Sequence, residues 1–311
     1  MTFEVTILGS NSAIPSHGRH PTAQVVNHNE NFFLLDCGEG TQMQLSQYKI
    51  KRSKINHIFI SHLHGDHYYG LIGLLTSYHL LQRSEPLNIF APKGLKEIIE
   101  LNFKYSNTNL LYDLHFHEYQ YQSSAIIYES EEIKVTGIGM NHRIPTSGFL
   151  FSEKKHPRKI LPEKLEEFGI PVSSIADLKN GMDIVINEKK IPNSEITAEP
   201  SPIRSYAYCS DTLYNEEIIP VISGVDLLYH EATFMNESAE RAAQTFHCTT
   251  TQAATIAKKA EVKALLIGHF SAKYIELEPM VEEARTIFPN TELAIEGHKY
   301  SVAFNVLQHV I

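Results

Sequence analysis

Ser61-His62-Leu63-His64-Gly65-Asp66-His67, directly after the apolar run His57-Ile58-Phe59-Ile60, is the densest ligand chemistry in the chain and sets its fold. The apolar run predicts a β-strand and the turn follows at its end. Imidazole and carboxylate are groups that zinc takes at four-coordinate sites. His62 and His64, at i and i+2 on an extended loop, can point the same way. Asp66 and His67 then turn back after Gly65, which tolerates the tight backbone of such a turn. Two ligand pairs from one turn predict two metals, one on His62 and His64, the other on Asp66 and His67.

Two pairs do not complete two coordination shells, so other strand ends must contribute. Three positions share the context of an apolar strand followed by a lone ligand: His142 in Gly139-Met-Asn-His-Arg143, Asp211 in Tyr208-Cys-Ser-Asp-Thr212, and His269 in Leu265-Leu-Ile-Gly-His-Phe270. Taken singly, each is equally readable as a satisfied loop histidine or turn aspartate. β-rich runs recur at residues 3–8, 22–27, 31–35, 57–60, 133–138, 148–151, 205–209, 226–229, 264–267 and 292–295. Helix-like segments lie at 70–82, 95–105, 250–260 and 278–287. Strands interspersed with helices give a layered α/β fold.

Residues 152–199 differ from the rest. Glu153-Lys-Lys-His-Pro-Arg-Lys-Ile160 is basic, and an amphipathic stretch follows that ends in Phe168-Gly-Ile-Pro171. This pattern fits either a solvated loop and helix or an arm inserted into a single domain spanning 1–311. The chain has no internal repeat that would suggest a solenoid.

Composition excludes several classes. With 311 residues of which 42% are hydrophobic, the chain can fill a core and is not intrinsically disordered. A formal net charge of −9 excludes a uniformly basic nucleic-acid binder, though not a local basic arm. Cys37, Cys209 and Cys248 are too widely spaced for a disulfide framework or a zinc knuckle, which fits a reducing cytosol. No apolar run approaches a membrane span, so a cytoplasmic protein without a membrane partner is expected.

The His-x-His-x-Asp-His turn followed by spaced His, Asp and His resembles the metallo-β-lactamase superfamily. Within it the chain resembles the ribonuclease Z family over nearly its whole length. The matching pieces are Leu35-Asp-Cys-Gly-Glu-Gly-Thr-Gln42, the 61–67 turn, Ser147-Gly-Phe149, Ser210-Asp-Thr212, His230-Glu-Ala-Thr-Phe234, Phe246-His-Cys-Thr249 and Gly268-His-Phe-Ser-Ala-Lys-Tyr274. The metal turn is common to the superfamily, whereas the His-Glu-Ala-Thr and His-Cys-Thr pieces are much more specific. The resemblance implies a four-layer αββα sandwich with an exosite arm and two zinc ions per chain. The first zinc would take His62, His64 and His142 and the second Asp66, His67 and His269, with Asp211 bridging. Asp36 is either a turn aspartate before Gly38 or the carboxylate that holds a ligand imidazole in its tautomer.

The activity implied is removal of the 3′ trailer from precursor tRNA by hydrolysis of a phosphodiester, leaving a tRNA 3′-hydroxyl. Such a reaction needs a hydroxide nucleophile, neutralised phosphoryl charge and a proton for the departing ribose oxygen. The metals supply the first two, and Asp66 resembles the family's base. Glu231 and His247 are the candidates for the third, although Glu231 also reads as a carboxylate pairing with a nearby Lys or Arg. Thr249-Thr-Thr-Gln252 is a capping box that would hold His247 at a rigid helix start. Lys154, Lys155, Arg158 and Lys159 resemble an RNA-binding exosite that grips the substrate away from the catalytic edge, and a homodimer without an organic cofactor is implied. Lys273 stands where many members carry arginine; it keeps the charge and loses the bidentate fork. Pro15-Ser-His-Gly-Arg19-His20 likewise departs from the family's loop. A small-molecule phosphodiesterase or esterase of the same fold is the alternative. A non-catalytic RNA scaffold would have no need of seven ligand candidates.

Overall fold

Along the strand Ile55–Phe59 a register shift between Ile55 and His57 breaks the alternation of side chains once, and both faces are buried. Ile55 and Ile58 enter one cluster with Val25, Leu34, Leu71, Leu74 and Ile89. Phe59 turns the other way and meets Phe149 and Phe151 at 5.4 and 5.6 Å between ring centroids. A strand apolar on both faces belongs in the middle of a layered fold. The computed structural model, which describes residues 2–120 and 124–302, places it there.

Two seven-stranded sheets result. The first runs in space Lys299–Ser301, Phe3–Gly9, Ala23–His28, Asn31–Leu35, Ile55–Phe59, Leu87–Ala91, Leu114–Glu118. Its pairings are antiparallel up to Asn31–Leu35 and parallel from there on. The second runs Thr291–Leu293, Leu265–Gly268, Leu227–Glu231, Ser205–Cys209, Thr146–Glu153, Ile133–Met140, Ile126–Glu129, and the first four of these are mutually parallel. Parallel neighbours need long crossovers, which here are helices. The helices Gly65–Leu80 and Leu95–Tyr105 cover the first sheet through Leu71, Leu75, Tyr78, Leu95 and Ile99. The helices Thr250–Lys259 and Glu278–Arg285 cover the second through Ala253, Ile256, Ala257, Met280 and Val281. Helix, sheet, sheet, helix is the four-layer αββα order expected.

The chain divides into two compact units, the larger carrying this sandwich and the smaller made of Ser130–Lys134 and Ser152–Ile203. The smaller unit has its own core of Ile170, Leu178, Ile191 and Ile196, around which the helix Pro162–Phe168 and the hairpin Ile184–Ile186 with Lys189–Ile191 are wrapped. Among the described residues no helix is long and apolar enough to cross a membrane.

The helix after the metal turn differs from the sequence expectation. It begins at Gly65 rather than at residue 70, so Asp66 and His67 sit in its first turn. Gly65 is not in a left-handed turn; a Cβ there would lie 2.2 Å from the Tyr69 ring. Gly70 has a sharper requirement. Its amide donates to the Cys37 carbonyl at 2.9 Å, and a Cβ would stand 2.1 Å from the Gly38 carbonyl oxygen. This approach lays the helix start against Asp36-Cys37-Gly38, where the Cys37 amide donates to the His67 carbonyl at 2.7 Å. Gly70→Ala is therefore expected to destabilise the fold by about 1–3 kcal/mol, the usual cost of overpacking, read as a lowered thermal midpoint.

Candidate metal centre

The predicted ligands, apart from Asp66 and His67 in the first turn of the helix Gly65–Leu80, stand with Asp36 where strands stop. Asp36 follows Asn31–Leu35, His62 and His64 follow Ile55–Phe59, His142 follows Ile133–Met140, Asp211 follows Ser205–Cys209, and His269 follows Leu265–Gly268. The carboxyl ends of parallel strands form one rim, the usual place for a site in α/β sheets. Asp36 and His269 reach it with φ of 54° and 60°, a left-handed backbone that side-chain-bearing residues seldom adopt.

The seven residues converge as two clusters. His64 Nδ1 lies 3.0 Å from His62 Nε2 and 3.2 Å from His142 Nε2, while Asp211 Oδ2 is 3.7 Å from each of those two Nε2 atoms. The other oxygen of the same carboxylate, Asp211 Oδ1, lies 3.4 Å from His67 Nε2 and 3.3 Å from His269 Nε2. Asp66 Oδ2 stands 3.5 and 3.6 Å from those nitrogens. Donors about 2.0–2.1 Å from a tetrahedral zinc are about 3.3 Å from each other. Both clusters have that edge length, and Asp211 gives one oxygen to each.

The donor chemistry fits cations as well as the distances do. His67 Nε2 and His269 Nε2 are buried without a hydrogen-bond partner, a costly state for a polar atom unless a ligand completes it. Burial pushes His142 down to about 4 and His62 well below its ordinary range, so both present lone pairs rather than protons. Burial also opposes charge on His67, but Asp211, Asp66 and Asp36 outweigh it and drive its pKa well above normal. Three carboxylates around one imidazole are a surplus of negative charge that divalent cations neutralise.

Four of the five ligand imidazoles, His62, His67, His142 and His269, are also held from behind, which fixes the nitrogen that faces inward. His142 Nδ1 donates to the Phe246 carbonyl at 2.9 Å, and His62 Nδ1 contacts Ser61 Oγ at 3.0 Å. His67 Nδ1 donates to Asp36 Oδ2 at 2.7 Å. Asp36 is fully buried and also accepts from the Ser61 amide at 2.7 Å, the Ser61 hydroxyl at 2.8 Å and the Tyr208 hydroxyl at 2.6 Å.

Glu231 is a second buried hub. Its Oε1 accepts from His247 Nδ1 at 2.9 Å and from the Thr212 and Cys248 amides at 3.1 and 3.0 Å. Its Oε2 accepts from the Thr233 hydroxyl at 2.8 Å. With its one proton so used, Thr233 Oγ1 can only accept from His269 Nδ1, 3.0 Å away, which leaves His269 Nε2 a bare lone pair. Burial works against charge on His247, yet Glu231, with Asp211 and Asp66 behind it, lifts its pKa to about 9. A capping box of Thr249 and Gln252 opens the following helix. Thr233 was not singled out by sequence; it lies inside the His-Glu-Ala-Thr piece, but its role appears only once His269 folds against it.

The basic residues are placed differently. Lys155 and Arg158 line a cavity of about 370 Å³ with His156, Lys179 and Glu199, all within the smaller unit. Arg158 is engaged by Thr197 at 2.7 Å and Glu199 at 2.5 Å, and Lys154 Nζ donates to the Ser130 carbonyl at 3.0 Å. Lys159 pairs through its backbone with Ala198. Lys273 Nζ is turned onto Ser238 at 3.0 Å and Glu237 at 3.3 Å.

A family model described as anti-Pycsar protein Apyc1 matches residues 3–155, which hold His62, His64, Asp66, His67 and His142 but neither Asp211 nor His269. A protein named ribonuclease Z from Bacteroides thetaiotaomicron is 47% identical over 296 residues, covering 95% of this chain and 94% of its own. The solved structure of human tRNase Z, short form, superposes with a TM-score of 0.70 at 27% identity over 96% of this chain and 99% of that one. The metallo-β-lactamase fold protein YhfI from Bacillus subtilis matches in fold, with a TM-score of 0.68 at 18% identity over 97% of this chain and 100% of that one. Near-half identity sustained across both whole chains, on a fold whose rim gathers two donor clusters, leaves one assignment: the chain belongs to the ribonuclease Z family.

Proposed function

We propose that this chain is a two-zinc endoribonuclease that cleaves the 3′ trailer from precursor tRNA and leaves a tRNA 3′-hydroxyl. The observation that carries this reading is the pair of four-donor clusters sharing Asp211. Two zinc ions held there would supply a hydroxide nucleophile at neutral pH and neutralise charge on the phosphoryl oxygens. His62, His64 and His142 would hold the first, Asp66, His67 and His269 the second, and Asp36 and Thr233 keep His67 and His269 in the tautomer that would ligate. Asp66 is the base. His247 is the acid: Glu231 grips its Nδ1, and its other nitrogen is left to protonate the departing ribose oxygen. The setting is the cytoplasm, where the three buried free thiols stay reduced.

Residues 152–199 serve as an arm that grips the RNA, and the chain works as a homodimer. Lys154, Lys155, Arg158 and Lys159 meet phosphates there; the Arg158 pair with Glu199 is an exposed one that a phosphate can replace at small cost. Lys273 contributes less, being committed to Glu237 and Ser238.

The test is a labelled precursor tRNA carrying a 3′ trailer beside a small chromogenic phosphodiester. Cleavage at the trailer junction supports the reading. A chain that turns over the small diester and leaves the precursor intact is instead a small-molecule phosphodiesterase or esterase. Replacing the four basic arm residues with alanine is expected to impair precursor cleavage and spare the small diester. Each lost phosphate contact retains its counterions, so the log–log salt slope of RNA binding should flatten by about 3 to 4. Equal loss on both substrates would make the arm structural.

A further inference from the structure

The second donor cluster receives one hydrogen bond from outside the rim. The backbone amide of Ala13 donates to Asp66 Oδ2 at 2.9 Å. This is the same oxygen that stands 3.5 and 3.6 Å from the inward nitrogens of His67 and His269. A carboxylate oxygen has two lone-pair directions. With an N–H on one, the other is left for a cation, so the amide fixes how Asp66 turns toward the cluster. It also leaves Oδ1, which takes no hydrogen bond among the described residues, as the oxygen that can receive a proton.

Ala13 can aim its amide this way only because its φ is 61°. A residue with a side chain seldom adopts that backbone unaided, so the surroundings must hold it there. Part of the hold is backbone pairing: the Ser12 amide donates to the Phe270 carbonyl at 2.8 Å, and the Phe270 amide donates to the Ser10 carbonyl at 2.8 Å. The rest converges on Asn11 and Arg19. Asn11 Nδ2 donates to the Ile14 carbonyl at 2.7 Å, closing the turn across Ala13. Which way the Asn11 amide faces is set by Arg19, whose Nε donates to Asn11 Oδ1 at 3.0 Å. The two terminal nitrogens of Arg19 then donate to the Ile275 carbonyl at 3.1 Å and to the Tyr274 carbonyl. A guanidinium spent on three neutral acceptors has little left for a phosphate. The two bonds to Tyr274 and Ile275 tie the 11–20 loop to the segment that follows His269.

We propose that Arg19 is a positioning residue for Asp66: through Asn11 it locks the turn that carries the Ala13 amide, and that amide orients the ligating carboxylate. The proposal rests on Asp66 being a ligand of the second zinc, so its test separates the two. Zinc dissociation constants would be measured on the full chain by competition with a chromogenic chelator, for the parent, Arg19→Ala, Asn11→Asp and Asp66→Ala. Asn11→Asp keeps an oxygen for Arg19 and removes the donor to Ile14, and it decides the matter alone if Arg19→Ala does not fold. Both loop variants should weaken one of the two zincs by about 10- to 100-fold, the usual effect of losing a group that holds a ligand from behind. With the small chromogenic phosphodiester, kcat should fall with them while KM stays within about twofold, as expected when an orienting group rather than a binding group is lost. Parental affinity for both zincs in the loop variants, with one zinc lost from Asp66→Ala, would overturn the role of Arg19 alone. Two tightly held zincs in Asp66→Ala would overturn the ligand assignment and the proposal with it.

Discussion

Asp211→Ala should abolish turnover of every substrate and leave at most about one tightly held metal per chain. No other substitution on the rim should do both so completely. The carboxylate is buried, its Oδ2 stands 3.7 Å from His62 Nε2 and His142 Nε2 in the first cluster, and its Oδ1 stands 3.3–3.4 Å from His67 Nε2 and His269 Nε2 in the second. Removing it would leave each donor cluster one ligand short. His142→Ala is the comparison, because it strips a donor from the first cluster only. Elemental analysis after gel filtration reads the outcome, and two metals retained in Asp211→Ala would refute the bridging assignment.

His247→Ala should fail differently. Metal content should stay at the parental value while turnover of precursor tRNA drops by roughly 10²–10⁴, the range for loss of a general acid. The companion variant is Glu231→Gln. In the parent, burial lowers the pKa of His247 but Glu231 and the neighbouring carboxylates raise it to about 9, so the acid form persists through neutral pH and is lost above it. Without the Glu231 charge the lowering effect of burial is opposed by less, and the acid form disappears at lower pH. The alkaline limb of the kcat profile should therefore move toward acid. Coincident profiles would show that His247 is not the group being titrated, and loss of metals from His247→Ala would make it a ligand.

The rim was legible in the sequence because a ligand at the end of an apolar strand leaves a local trace: His269 closes Leu265-Leu-Ile-Gly, and Asp211 closes the run that ends in Cys209. What holds the ligands left a trace only at the conspicuous carboxylate Asp36, read either as a turn aspartate or as the holder of a ligand imidazole. Thr233 looks like any threonine until His269, 36 residues on, donates to it. The Ala13 contact uses a backbone amide, which leaves no trace in residue identity at all. The fold shows the same divide. Most central strands with two buried faces stand out, whereas Leu114–Glu118 and Ile126–Glu129, short strands at sheet edges and largely exposed, do not. Leu87–Ala91, although buried and interior to the first sheet, and Lys299–Ser301, only three residues long, were also not anticipated.

The order in which the rim is assembled matters for a chain made from one end. Domains acquire structure from the N-terminus forward as the ribosome delivers them. His62, His64, Asp66 and His67 emerge early, but each cluster draws on Asp211 and the second also needs His269, in a chain of 311 residues. Neither cluster is complete in a nascent chain until most of the protein has been translated. A half-made hydrolase held beside ribosomes and unprocessed transcripts thus has no complete site with which to cut them.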